Sequence, residues 1–277
     1  MTHPTPGTHQ PTRPIRTALV PVRLRSALAL AAVFAVGGVA FGWPFLTQPG
    51  AALDTSHSGD APMVFVLLLP LLAAVVLAEL TSGGMDAKAV AMLGMLAAVG
   101  GALRALGPGT AGLEPSFAII VLGGRVFGRG FGFVLGSVTL FVGALLTGGV
   151  GPWLPFQMLA AGWVGFFAGC LPPARGRTEI GFLASYSFVA GLAYGLLMNL
   201  WFWPFASYGP ETSYVAGDSF AGNASRYGVF YVTTSLPWDL GRSVLSALVL
   251  LLAGAALLRA LRRASRRAAF DAIAAFE

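Results

Sequence analysis

Residues 117–146 read FAIIVLGGRVFGRGFGFVLGSVTLFVGALL. How this stretch is divided decides the fold. About 20 apolar residues suffice for one helix to cross a bilayer, so the run is too long for one ordinary span. It also carries Arg125 and Arg129, and each charge held inside a span is costly. Gly123, Gly124, Gly128 and Gly130 surround the two arginines. The stretch is therefore expected to form two helices, a short one over about 115–127 and a longer one, joined by a tight turn around residues 125–130.

The rest of the chain is of the same kind. Of its 277 residues 56% are hydrophobic and only 10% are charged, against about 25% charged in an ordinary soluble domain. A globular surface cannot be covered with so few polar groups, so the fold class is an all-α polytopic membrane protein. One cysteine, Cys170, excludes a disulfide scaffold and reads as a small apolar packing residue. Lys88 is the only lysine, and it lies between Ala87 and Ala89. A phosphate-binding loop needs Gly-Lys-Ser/Thr, so this chain is not its own ATPase. His3, His9 and His57 all lie outside apolar segments, so no intramembrane metal site or Ser–His pair is expected, and no enzyme. The basic excess is not spread over a soluble face, and no nucleic-acid partner is expected.

Residues 1–22 read as a disordered polar tail. Apolar segments follow at about 25–46, 62–80, 87–106, the two within 115–146, then 155–171, 179–205 and 238–261. The stretch 207–227 reads as a polar loop. Charge sets the topology, because cytoplasmic loops carry excess Lys and Arg. Both ends are basic: Arg13, Arg16, Arg23 and Arg25 at the start, and Arg259, Arg262, Arg263, Arg266 and Arg267 at the end. Both termini are expected in the cytoplasm, which requires an even number of spans, here eight. That topology puts 14 of the 17 basic residues inside, the remainder being Arg104, Arg226 and Arg242. The expected organisation is a tail over 1–22, two N-terminal helices over 23–85, a six-helix core over 86–263 and a basic cytoplasmic tail over 264–277.

Several polar and small residues stand out against this background. Ala87, Ala91, Gly94, Ala98 and Ala102 recur at helical spacing on one face. Small faces let membrane helices approach closely, and they are also common in ordinary internal packing. Residues 151–158, GPWLPFQM, form a turn that enters a helix. Trp153 suits the interfacial aromatic belt, while Gln157 is a costly amide in an apolar segment and wants a partner. Asn199 has the same need near the end of its helix, in the run NLWFWP with Trp201 and Trp203. Trp238 and Asp239 open the last span. Arg104 either snorkels or meets an anionic ligand.

The order of these elements resembles the substrate-binding S component of energy-coupling factor (ECF) transporters. The residues that carry it are the run from Ala87 to Arg104, Glu114-Pro115, the glycine-rich turn GGRVFGRGFGF and GPWLPFQM, and it covers about 86–263. The first two spans have no counterpart in the usual six-helix core. The resemblance implies a binding subunit in the cell membrane that takes up a vitamin at its outer side. Its partners would be a transmembrane scaffold and two cytoplasmic ATPases. The first core helix of such proteins docks through an Ala-x-x-x-Ala pattern, which Ala87 and Ala91, continued by Gly94 and Ala98, match. By position it assigns substrate binding to Arg104, Glu114, Trp153, Gln157, Asn199, Trp203, Trp238 and Asp239, with no metal and no covalently bound cofactor. The aromatic outer loop suits a bulky cargo such as cobalamin, with riboflavin, thiamine, biotin or a cobalamin precursor open. The competing reading is a stand-alone secondary transporter of a small organic solute. It would want intramembrane carboxylates and internal repeats.

Overall fold

The computed structural model describes residues 24–45, 73–74, 85, 87–107, 113–205 and 208–270. Their regular structure is helical: α1 (Leu24–Gly42), α2 (Ala87–Ala105), α3 (Ser116–Phe127), α4 (Arg129–Thr147), α5 (Leu154–Cys170), α6 (Gly176–Phe202), α7 (Phe220–Thr234) and α8 (Leu236–Phe270). Short 3-10 turns at Trp43–Phe45 and Trp203–Phe205 follow α1 and α6. Among the described residues, five stretches are long and apolar enough to cross a membrane: Ala27–Phe45, Ala87–Ala105, Arg129–Thr147, Gly176–Phe205 and Leu236–Arg266. Of the expected span at 62–80 only residues 73–74 are among those described, and they are helical.

The decisive stretch divides as its glycines suggest. Gly128 separates α3 from α4 with φ 102°, and its N–H donates to the Gly124 carbonyl at 3.0 Å. An L side chain rarely adopts that conformation. α3 has only 12 residues, about 18 Å of helix, less than the hydrocarbon thickness of about 30 Å. It is enclosed by its neighbours, and Phe117, Ile120, Val121 and Leu122 are wholly buried.

Close approach of backbones builds the core around α5. A Cβ added to Gly165 would strike the Gly132 carbonyl, and one added to Gly132 or Gly124 would strike the Gly165 carbonyl. Association inside a bilayer relies on such close packing, because apolar burial between helices gains little there. On α2, Gly100 and Gly101 abut Thr139 and Val142 of α4. The first additional helix belongs to the same body. Phe34 of α1 packs at 4.9 Å from the Phe166 ring of α5, and Phe41 at 5.3 Å from Phe156.

One end of the bundle is tied together by a buried carboxylate. Glu179, on the first turn of α6, is 1% exposed. It accepts from Arg125 Nε at 2.7 Å and from Arg262 Nη2 at 2.5 Å. Arg125 Nη1 also donates to the Leu171 and Pro172 carbonyls at 3.0 and 3.1 Å. The ends of α3, α6 and α8 and the α5–α6 connection are thereby held together. Arg129, Arg175, Arg177, Arg259, Arg263 and Arg266 gather near this end of the same helices, which is the basic end of the protein.

Three features depart from the sequence reading. The loop expected over 207–227 gives way to α7 at Phe220. Ser219 caps that helix by accepting from the Gly222 N–H at 3.1 Å, and Tyr227, Phe230 and Tyr231 bury one face of it. Arg226 pairs with Asp218 just before the cap and holds that carboxyl below its usual range. The last helix runs on to Phe270, past the boundary expected at 263. Cys170 is exposed at the end of α5 and not packed inside.

Candidate binding cavity

At the opposite end from the Glu179 cluster, the C-terminal ends of α2 and α6 meet the N-terminal ends of α3, α5 and α8. A cavity of about 330 Å³ opens between them. Arg104, Glu114, Gln157, Asn199, Trp238 and Asp239 all line it. Tyr194, Ser235 and Arg242 line it as well.

Arg242 organises the charges. Its Nε donates to Glu114 at 3.1 Å and its Nη1 to Asp239 at 2.6 Å. The guanidinium also lies 5.0 Å from the Tyr194 ring centroid and 5.6 Å from that of Phe117, within cation–π range. Arg104 extends the chain of charges. It donates from Nη2 to the Gln157 amide oxygen at 2.8 Å, and its Nε lies 3.8 Å from Glu114. Two guanidinium groups face two carboxylates, so the wall is close to neutral overall while strongly polar. Asn199 finds its partners in the protein: it donates to the Gly195 carbonyl at 2.9 Å and accepts from Ser235 at 2.8 Å. Gly195 is required by the packing here, since a Cβ at that position would collide with the Asp239 carboxylate.

The network is incomplete. Arg104 Nη1 is buried and has no hydrogen-bond partner, and Asp239 Oδ2 and the Tyr231 hydroxyl, which lie beside each other, find none elsewhere. Tyr231 lies close enough to Asp239 to sense its charge. Buried unpaired groups of this kind cost about 1–3 kcal/mol each.

Two sequence candidates lie elsewhere. Trp153 is exposed, and its indole N–H donates to the Gly149 carbonyl at 3.0 Å, bracing the turn before α5. Trp203 is wholly buried in a separate aromatic cluster with Tyr227 and Phe230, and it donates to the Thr212 carbonyl at 2.6 Å. The residue that sequence reasoning passed over is Arg242. Its signal was an arginine three residues after Asp239 in an apolar span, and such charges usually mark function. Tyr194 left no signal in its apolar surroundings.

The small-residue stripe occupies a different surface. Ala87, Ala91, Gly94 and Ala98 are all exposed on α2, and a Cβ at Gly94 would meet nothing within 4 Å. The buried face of the helix is made instead by Leu93, Leu96, Ala97, Gly100 and Gly101.

A family model described as ECF transporter, substrate-specific component, matches residues 88–254. The match runs from α2 into α8 and includes every residue named above as lining the cavity. Neither a curated protein nor a solved structure matches the chain significantly.

Proposed function

From the premise that the chain belongs to the family of ECF transporter substrate-specific components, we propose that it captures a compact vitamin-like molecule at the outer face of the cell membrane. In this reading it hands the molecule inward with energy from partner ATPases. The family is one of transporter subunits, and the apolar helices agree with a multi-pass membrane location. The observation that carries the binding proposal is the polar cavity wall, where Arg104, Glu114, Gln157, Asp239 and Arg242 converge.

The sidedness follows from charge. The cluster around Arg125, Arg129, Arg175, Arg177 and Arg262 lies at the far end from the cavity, and the positive-inside rule assigns that end to the cytoplasm. Both termini are then cytoplasmic and the cavity faces outward. The cavity volume of about 330 Å³ stands at the low end for small-molecule sites, roughly 300–1,000 Å³. It suits a thiamine- or biotin-sized cargo better than a corrinoid such as cobalamin. The near-neutral, polar wall favours a ligand that is itself neutral or zwitterionic and has both donors and acceptors.

Partners follow from the same premise: a transmembrane scaffold and two cytoplasmic ATPases, met by the exposed stripe of α2. Tagged protein purified from its native membranes is expected to bring down a scaffold with its ATPases and to release one small molecule detectable by mass spectrometry. Purification that repeatedly yields neither would sink the proposal. Within the cavity, Gln157→Ala is expected to weaken binding of that molecule about tenfold, the loss expected when a hydrogen bond to a charged group is removed. Affinity measured by calorimetry on the purified variant checks this, and an unchanged value removes Gln157 from the site.

A further inference from the structure

A second concavity lies far from the cavity, between α6 and α8 at the basic end, with a volume of about 640 Å³. The two helices touch closely near Gly191 and Ser243. They stay in contact toward the basic end, where a Cβ at Gly254 would meet Ile180 at 3.3 Å, while the outer side of α6 at Gly181 is open, with nothing within 4 Å of an added Cβ. The walls of this groove are apolar at membrane depth, from Ile180, Leu251 and Leu258. Its rim is charged by Arg177, Arg259 and Arg262, with Glu179 as the lone carboxylate. Three arginines against one carboxylate leave the rim two positive charges in excess. Arg125 further engages that carboxylate from α3.

We propose that this groove binds an anionic phospholipid, with its phosphate at Arg177 and Arg259 and one acyl chain along Leu251 and Ala255. Neither Arg177 nor Arg259 has an ion-pair partner among the described residues, whereas Arg262 is already committed to Glu179. The N-cap residue of α6, Arg175, is extended and supplies no side-chain cap to the first N–H groups. Basic pockets between transmembrane helices on the cytoplasmic side suit anionic headgroups for these reasons. A soluble anion would use the rim alone, whereas a lipid also covers the exposed Leu251 and Ala255. The proposal stands apart from the vitamin-binding reading, since the groove shares no residue with the cavity.

Native mass spectrometry of the purified full chain, titrated with phosphatidylglycerol or phosphatidylcholine, tests it. Phosphatidylglycerol is expected to be retained preferentially. The double variant R177Q/R259Q is expected to lose roughly fivefold in that retention per arginine removed, with phosphatidylcholine unaffected. Arg175→Gln, which is exposed outside the groove, serves as the control and should bind as the parent does. Equal retention of the two lipids, or full preference in the double variant, overturns the proposal. Complete displacement by glycerol phosphate would assign the rim to a soluble anion and overturn the lipid. Loss of co-purifying ATPase in the double variant, with lipid retention unchanged, would reassign the groove to a protein partner.

Discussion

Arg242→Ala is expected to abolish ligand binding and to lower stability by about 3–5 kcal/mol, the range for breaking a buried ion pair by removing one partner. Arg242 serves two carboxylates at once, Glu114 at 3.1 Å and Asp239 at 2.6 Å, with side chains only 13% and 5% exposed. Without it, Asp239 loses its cation and Glu114 keeps only the longer Arg104 contact at 3.8 Å. Arg104 cannot replace it, because its Nε lies 3.8 Å from Glu114 and its Nη2 is committed to Gln157. Arg242→Lys keeps the charge but loses the fork that reaches both carboxylates and the stacking on Tyr194, so an intermediate loss is expected. Thermal unfolding and ligand titration of the purified variants measure both effects. An Arg242→Ala protein that melts and binds like the parent would show that the charge network does not organise the site.

Ala91→Trp is expected to eliminate co-purification of the scaffold and ATPases while ligand binding by the isolated subunit stays unchanged. The reason is the location of the stripe. Ala87, Ala91, Gly94 and Ala98 are exposed, so an indole there disturbs no internal packing of the described residues. It does prevent another helix from approaching at close range, on which association within a bilayer depends. Ala97→Trp supplies the contrast. Ala97 is 1% exposed on the core-facing side of the same helix, and an indole there should damage the fold itself. If Ala91→Trp assembled normally, the stripe would not be the docking face, whatever the cavity binds.

The two predictions rest on features of different legibility. The stripe was readable because helical spacing is a local property: residues three and four apart share a face whatever surrounds them. What spacing alone left open was whether that face is buried or exposed. The structure leaves it exposed and turns Leu93, Leu96 and Gly100 inward. The cavity shows the opposite balance. Gln157 and Asn199 stood out as polar groups in apolar runs, and both line it. Trp153 and Trp203 stood out equally, yet one braces a turn and the other fills a separate aromatic cluster. An aromatic near a helix end satisfies the interfacial belt, a buried cluster or a binding site equally well by composition. Only its neighbours in space separate these roles.

The sequence by itself determined the membrane character of the chain, the break at Gly128 and the order of the core helices. Each depends on hydrophobicity, glycine and charge within one short window. Tertiary structure alone decided that Arg242 meets Glu114 across 128 residues, that Arg104 meets Gln157 across 53, and that Glu179 joins Arg125 to Arg262. Tertiary structure also decided that a helix begins at Phe220, within the loop expected over 207–227. A buried charge must find an opposite partner in a medium of low dielectric, but the partner it finds is set by which helix ends the packing brings together. No local pattern encodes that choice.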